Sequence, residues 1–199
     1  MTGDLFRAGM RRLCGGVTIV TSWDGDRPVG LTATAVCSLS AAPPRLIACI
    51  NREGRTCRAI GRSRVLSVNL LATQHQGLAE RFAGRLGDEE RFAMGRWRLS
   101  APAAPVLEDA LAAFICQVAF MLDVGSHALI VADVEHVILG PAATPLLYLD
   151  GRFDRPSLGP VQTPPAPAPD AGSPRPAAAL SPVSPDASAS REEEISHER

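Results

Sequence analysis

Apolar and polar side chains alternate along several short segments of the chain, and this alternation predicts β-strands that are half buried in a sheet. Many of these segments are rich in Val, Ile and Thr, which favour extended backbone. The predicted strands cover residues 17–23, 29–37, 45–51, 65–71, 114–124, 128–139 and 146–149. Asp24-Gly25-Asp26, between the first two strands, predicts a hairpin turn.

Three helices are also predicted. The first is indicated by apolar residues at helical spacing near the start, namely Leu5, Phe6, Met10 and Leu13. Gly15-Gly16 ends it, and a second, short helix is expected at 56–61. Thr73-Gln74-His75-Gln76 has the pattern of a capping box and opens a third helix, which buries Leu78 and Phe82. Strands do not alternate with helices, so we expect a mainly β protein, an antiparallel barrel with peripheral helices, rather than a parallel nucleotide-binding sheet.

The composition changes sharply after Phe153. Residues 155–199 are dominated by Pro, Ala and Ser, contain no Phe, Trp or Tyr, and end in a charged run. Such a segment buries too little apolar surface to offset the entropy lost on ordering. We therefore expect a folded domain at 1–154 and a disordered tail at 155–199, with a rigid Pro-rich spacer or partner ligand as the alternative reading of the tail.

Charge and cysteine content narrow the function classes. The net charge is −1, which does not favour a nucleic-acid partner. The five cysteines include no C-x-x-C pair, and a reducing cytoplasm fits them better than a disulfide framework. Neither a leader peptide nor an apolar run of about 20 residues that could cross a membrane is recognised.

Several common kinds of active site are not indicated. The sequence has no G-x-G-x-x-G, P-loop or G-x-S-x-G pattern. The histidines, at His75, His127, His136 and His197, lack the spacing of metal ligands, so no metal site is expected.

The segment from Gly30 to Ser38 is the first candidate binding site. In a strand, Thr32 and Thr34 would share one face while Ala33 and Ala35 share the other. Small side chains let a flat ring approach the backbone, and hydroxyl and N–H groups can bond its polar edge, as a flavin ring requires. An ordinary edge strand rich in Thr and Ala is equally consistent with this pattern.

The segment from Cys49 to Thr56 is the second candidate, because it runs from a strand end through a polar turn into a helix. Free N–H groups at a helix N-terminus attract phosphate. Arg55 can donate two hydrogen bonds to phosphate oxygens, and Thr56 can add its hydroxyl. The alternative is a solvated loop with a helix cap.

Two further segments could contact a second ligand. His127, in Gly125-Ser126-His127, could face a bound nicotinamide or another ring, although a purely structural histidine is the alternative. In residues 146–153, a strand leads into an Asp-Gly turn followed by Arg152 and Phe153. These two side chains could clamp a dinucleotide, or the segment could simply close the barrel.

Taken together and in order, these segments resemble the flavin reductase-like family, the reductase components of two-component flavin monooxygenases. The resemblance covers nearly all of residues 4–153. It rests on Phe6-Arg7, Gly16–Thr21, Gly30–Ala35, Pro43-Pro44, Ser67–Ala72, Leu78–Ala83, Glu90-Arg91-Phe92, Pro105–Glu108 and Pro145–Tyr148.

The resemblance implies a split antiparallel β-barrel of the FMN-binding type, a homodimer that binds FMN or FAD near the subunit interface, with NADH or NADPH as hydride donor. It assigns the ring edge to Thr32, Ala33, Thr34 and Ser38, and it includes Gly30 among the cofactor-binding residues. It assigns the phosphate end to Cys49, Ile50, Asn51, Arg55 and Thr56, with Arg81 and Phe82 nearby. His127 corresponds to the histidine of a Gly-Asp-His motif associated with the nicotinamide, and Arg152 and Phe153 would close over the dinucleotide. Gly54 replaces a common serine, and Ser126 replaces the usual aspartate.

The implied activity is hydride transfer from the nicotinamide to the flavin, with reduced flavin passed to a partner monooxygenase. His127 would position the nicotinamide, and no side chain need act as a general acid. Two alternatives stay open at this point. A tightly held flavin could reduce another acceptor, such as a cobalt corrinoid or a ferric chelate, or the chain could bind flavin without turnover.

Overall fold

Antiparallel strand pairing organises the part of the chain that the computed structural model describes, residues 3–157 and Val161. The strands are β1 Gly15–Gly16, β2 Thr18–Asp24, β3 Arg27–Ala33, β4 Val36–Ala41, β5 Pro44–Asn51, β6 Val65–Leu70, β7 Trp97–Arg98, β8 Val106–Leu107, β9 Ala112–Val124, β10 His127–Leu139, β11 Leu147–Leu149 and β12 Arg152–Asp154. The α-helices are α1 Gly3–Met10, α2 Arg55–Ser63, α3 Gln76–Ala83 and α4 Asp88–Phe92.

Seven strands form the main sheet, in the order β3-β2-β6-β9-β10-β5-β4. Its two outermost strands, β3 and β4, are joined through only Thr34 and Ala35. The three Cα–Cα steps from Ala33 to Val36 span at most about 11 Å, so the two edges must lie close together. The sheet is therefore curled into a barrel that stays unpaired at one seam, which confirms the predicted split antiparallel barrel. A three-stranded sheet (β1-β11-β12) and the β7-β8 pair complete the strand set of the described residues.

Two apolar clusters hold the site in place. One fills the barrel, with Val68 and Ile130 fully buried. The other lies between α3 and the sheet and includes Ile19 and Phe82. The Phe82 ring is 1% exposed and contacts the rings of Phe92 and Trp97, with centroids 5.0 and 5.4 Å away. These contacts fix α3 and α4 beside β3.

Most predicted elements are confirmed to within three residues at each end, but the single strand predicted at 29–37 is wrong. β3 pairs with β2 as far as Ala33, and β4 pairs with β5 from Val36 onward. The backbone changes partner between them, so Thr34 and Ala35 belong to neither strand. The Ala35 carbonyl accepts instead from the Cys49 N–H, at 2.9 Å.

The predicted capping box at residues 73–76 is also wrong in its chemistry. The N-cap of the turn that begins at Thr73 is Ala72, not Thr73. His75 Nδ1 accepts a hydrogen bond from the Ala72 N–H, at 3.1 Å, and a 3₁₀ turn at Thr73–His75 leads into α3. No sequence pattern predicted α4, β1, β12 or the β7-β8 pair.

All five cysteines are free thiols, and Cys57 and Cys116 are buried. None of the described helices is both long and apolar enough to cross a membrane. Apart from residues 155–157 and Val161, the predicted tail lies outside the described residues, so the domain boundary at 154 stays a prediction.

Candidate functional site

A cavity of about 790 Å³ opens beside the barrel seam, within the size range of small-molecule sites. It is bounded by the junction of β3 and β4, the end of β5, the start of α2 and the segment at 82–91. Ten predicted site residues line it: Thr32, Ala33, Thr34, Cys49, Ile50, Asn51, Arg55, Thr56, Phe82 and His127. The fold thus brings together three of the four candidate segments.

The other predicted residues lie elsewhere. Gly30 adjoins the cavity only through its neighbours: its Cα faces the Phe82 ring. Arg81 donates from Nε to the Glu90 carbonyl, at 2.8 Å. Ser38 lines a separate apolar cavity of about 360 Å³, and Arg152 is exposed on β12.

Phe153 lines an adjoining cavity of about 450 Å³ that shares the Thr32–Thr34 wall with the first. Its ring packs edge to face on Tyr148, with centroids 5.3 Å apart. The fourth candidate segment therefore lies across a common wall from the main cavity.

The start of α2 offers free backbone donors at one end of the main cavity. Gly54 is its N-cap and makes no side-chain cap. No described residue accepts from the N–H groups of Arg55, Thr56 or Cys57. A side chain at Gly54 would place its Cβ 3.1 Å from the Asn51 carbonyl oxygen, so the tight turn favours glycine at this position. The uncapped end is suited to an anion.

Arg55 is held at the cavity edge by two carboxylates. Its Nε donates to Asp24 and its Nη1 to Asp88, each at 2.9 Å. Arg62 also donates to Asp24, at 2.6 Å. The hydrogen bond from Arg55, followed by that from Arg62, lowers the pKa of Asp24, and Asp24 in turn raises the pKa of Arg55. A guanidinium has five N–H donors, so three remain for a ligand anion.

Arg91 is a cavity residue that sequence analysis assigned no role. From α4 it donates to the Gly30 carbonyl at 2.9 Å and to the Gly84 carbonyl at 2.7 Å. It thereby ties the wall formed by residues 84–88 to β3. Its only sequence signal is the Glu90-Arg91-Phe92 match to the family.

The Thr32 hydroxyl already has a hydrogen-bond acceptor. It donates to the Ala79 carbonyl of α3, at 2.6 Å. Because a hydroxyl carries one proton, Thr32 can only accept a hydrogen bond from a ligand. β3 ends at Ala33, so Thr34 lies in the junction after it and the strand alternation expected for residues 32–35 does not extend that far, although Thr32 and Thr34 both line the cavity.

His127 begins β10 and stands opposite Asn51 of β5 and Val124 of β9. Its Nδ1 lies 2.8 Å from the Ser126 hydroxyl oxygen. His127 and Asn51 both line the cavity, as expected for cross-strand neighbours on one face.

Comparison with known proteins agrees with this geometry. A family model for the flavin reductase like domain matches residues 10–157. A relative named FMN reductase (NADH) RutF, from Variovorax paradoxus, is 40% identical over 148 residues, which cover 74% of this chain and 82% of the relative.

Solved structures show the same fold. A flavin reductase domain protein from Arthrobacter sp. FB24 superposes with a TM-score of 0.74 at 32% identity, covering 79% of this chain and 97% of that one. A homologue of nitrilotriacetate monooxygenase component B from Mycobacterium thermoresistibile gives 0.73 at 30% identity, covering 81% and 92%. The chain belongs to the flavin reductase-like family.

Proposed function

We propose that this protein is an NADH-dependent flavin reductase that transfers hydride to FMN, or to FAD. One observation carries the proposal: a single cavity joins an uncapped helix N-terminus and Arg55 to a wall of small residues at 33–35 and to His127. The helix N-terminus and Arg55 suit a phosphate, and the wall of small residues suits a flat ring. His127 offers a contact to a second ligand. The relative named FMN reductase (NADH) favours FMN and NADH over the other cofactors.

The residues present fit a flavin mononucleotide. The N–H groups at the start of α2, together with Arg55 and Thr56, would hold the phosphate. Ala33, which is 9% exposed, leaves room for a ring to lie against the backbone, and Thr32 would accept from a ring N–H. Arg91 keeps the opposite wall in place.

The nicotinamide and the flavin supply the redox chemistry, in which a hydride passes from one ring to the other. The protein's part is positioning, because hydride transfer needs the reacting atoms about 3–3.5 Å apart. The small-residue wall would set the depth of the flavin ring, and His127 would position the nicotinamide. None of the residues lining the described cavity needs to act as a general acid.

We also propose that the protein is a cytoplasmic homodimer that supplies reduced flavin to a partner monooxygenase. Phe120, Leu122 and Val124 alternate along one face of β9 and are 51–57% exposed, a contiguous apolar stripe that is unusual on a monomer. Leu122 pairs with Leu129, and Val124 pairs with His127 of the cavity, so a second copy on this stripe would lie beside the site.

Sedimentation should give twice the mass of one chain, and Leu122→Asp should give single chains; a monomeric native protein contradicts the homodimer.

The activity is tested by following the oxidation of NADH and NADPH with and without added FMN, FAD and riboflavin. We expect NADH oxidation that depends on added flavin and is fastest with FMN. Flavin binding without oxidation of either nicotinamide would refute a reductase. Turnover only with a ferric chelate or a cobalt corrinoid would refute flavin as the acceptor.

The phosphate contact is tested with Arg55→Met. Loss of a charge-assisted hydrogen bond is worth about 1.5–3 kcal/mol, so FMN should bind about 10- to 150-fold more weakly. Riboflavin, which lacks the phosphate, should bind almost as before. Arg58→Met is the matched control, because Arg58 is exposed on the same helix and does not line the cavity. Equal losses for FMN and riboflavin would contradict the assignment.

A further inference from the structure

The β9-β10 hairpin places a serine hydroxyl against the cavity histidine. Its loop has two residues, Gly125 and Ser126, and Gly125 has φ +59°. A glycine with positive φ at the first loop position is typical of a type II′ turn, whose twist matches that of the flanking strands. The turn leaves Ser126 next to His127 in the chain and their polar atoms 2.8 Å apart.

A neutral imidazole has one N–H and one bare nitrogen, so its partner at Nδ1 decides what Nε2 presents. The Ser126 hydroxyl has no other hydrogen-bond partner among the described residues. When the Ser126 hydroxyl donates its proton to a bare Nδ1, the one N–H of the neutral imidazole ring lies on Nε2. Nε2 likewise has no hydrogen-bond partner in the described part of the chain, and the ring lines the cavity.

We propose that Ser126 is a positioning residue that holds His127 in the Nε2–H tautomer, so that the cavity receives a neutral hydrogen-bond donor. The ligand group that it recognises is an oxygen acceptor. The identity of this acceptor rests on the proposed function: it is the carboxamide oxygen of the nicotinamide.

The tautomer is tested on the flavin-free full-length protein by long-range ¹H–¹⁵N correlation of labelled histidines, above the ordinary titration range of histidine. His127→Gln identifies the signals of His127 among the four histidines. We expect a bare Nδ1 and a protonated Nε2 in the native protein and in Ser126→Thr, which keeps the hydroxyl. Ser126→Ala should give mixed tautomers. Ser126→Asp should protonate Nδ1, because a carboxylate only accepts. A protonated Nδ1 in the native protein, or no change in Ser126→Ala, overturns the proposal.

The kinetic consequence is tested separately. Ser126→Ala should raise the KM for NADH by the inverse of the fraction of His127 that stays in the Nε2–H tautomer, about 2-fold for an equal mixture, with kcat and FMN affinity unchanged. Ser126→Thr should restore the native KM. If the tautomer shifts while the KM does not, Ser126 still positions the ring, and the nicotinamide role of His127 is refuted. A fall in FMN affinity equal to the rise in KM would refute recognition of the nicotinamide by this pair.

Discussion

Gly30 lies where β3 meets the buried face of Phe82, and adding one methyl group there should strain this contact. A Cβ at Gly30 would lie 2.8 Å from Phe82 Cε1, 3.1 Å from Cδ1 and 3.2 Å from the Val20 carbonyl oxygen. The first distance is shorter than carbon atoms tolerate. The Phe82 ring cannot simply swing away, because Phe92 and Trp97 pack against it.

Overpacking of this kind costs about 1–3 kcal/mol. For a domain of about 150 residues this corresponds to a fall in Tm of roughly 2–12 °C, at about 2–4 °C per kcal/mol. Urea unfolding of Gly30→Ala measures the loss directly as the change in free energy of unfolding. Since Phe82 also forms a wall of the cavity, FMN affinity should fall as well.

A double-mutant cycle with Phe82→Leu isolates the clash, because this substitution removes the ring edge that the new methyl group meets. Gly30→Ala should be much less destabilising in the Phe82→Leu background. Gly16→Ala is the matched control, because a Cβ at Gly16 meets nothing within 4 Å. A Gly30→Ala variant as stable as Gly16→Ala, or losses that simply add in the double variant, would refute the clash.

Two further predictions concern titrating groups. Arg55 and Arg62 lower the folded-state pKa of Asp24, so this carboxylate stabilises the fold above its ordinary pKa of 3.8, and the benefit disappears as the pH falls through the lowered value. The stability difference between native protein and Asp24→Asn, measured by urea unfolding across this range, should therefore shrink with acid; a pH-independent difference contradicts the ion pair. Burial raises the pKa of the Cys116 thiol to about 12 and also raises the pKa of Cys57. At about pH 8, a thiol reagent should label at most three of the five cysteines before unfolding and all five afterwards, and rapid labelling of Cys116 would contradict its burial.

The sequence by itself determined the local elements. Period-two alternation is enough to locate the strands, because it records which side of a strand faces the core. Asp24-Gly25 marks a hairpin turn because such turns need residues that accept positive φ. The polar turn before residue 55 marks a helix start, and with it the end of the cavity that we propose holds the phosphate.

Only the tertiary structure decided which of these residues act together. β3 pairs with β2 at one edge of the sheet, and β4 pairs with β5 at the other edge. The chain crosses the open seam between these edges, so the single predicted strand is interrupted at Thr34. The partners of Arg55 lie 31 and 33 residues away, and Arg91 reaches a carbonyl 61 residues away. The Thr32 hydroxyl donates a hydrogen bond to the Ala79 carbonyl of α3, 47 residues later in the chain. A local pattern encodes how one segment distributes its apolar surface, whereas these contacts depend on how the sheet curls and where the helices pack on it.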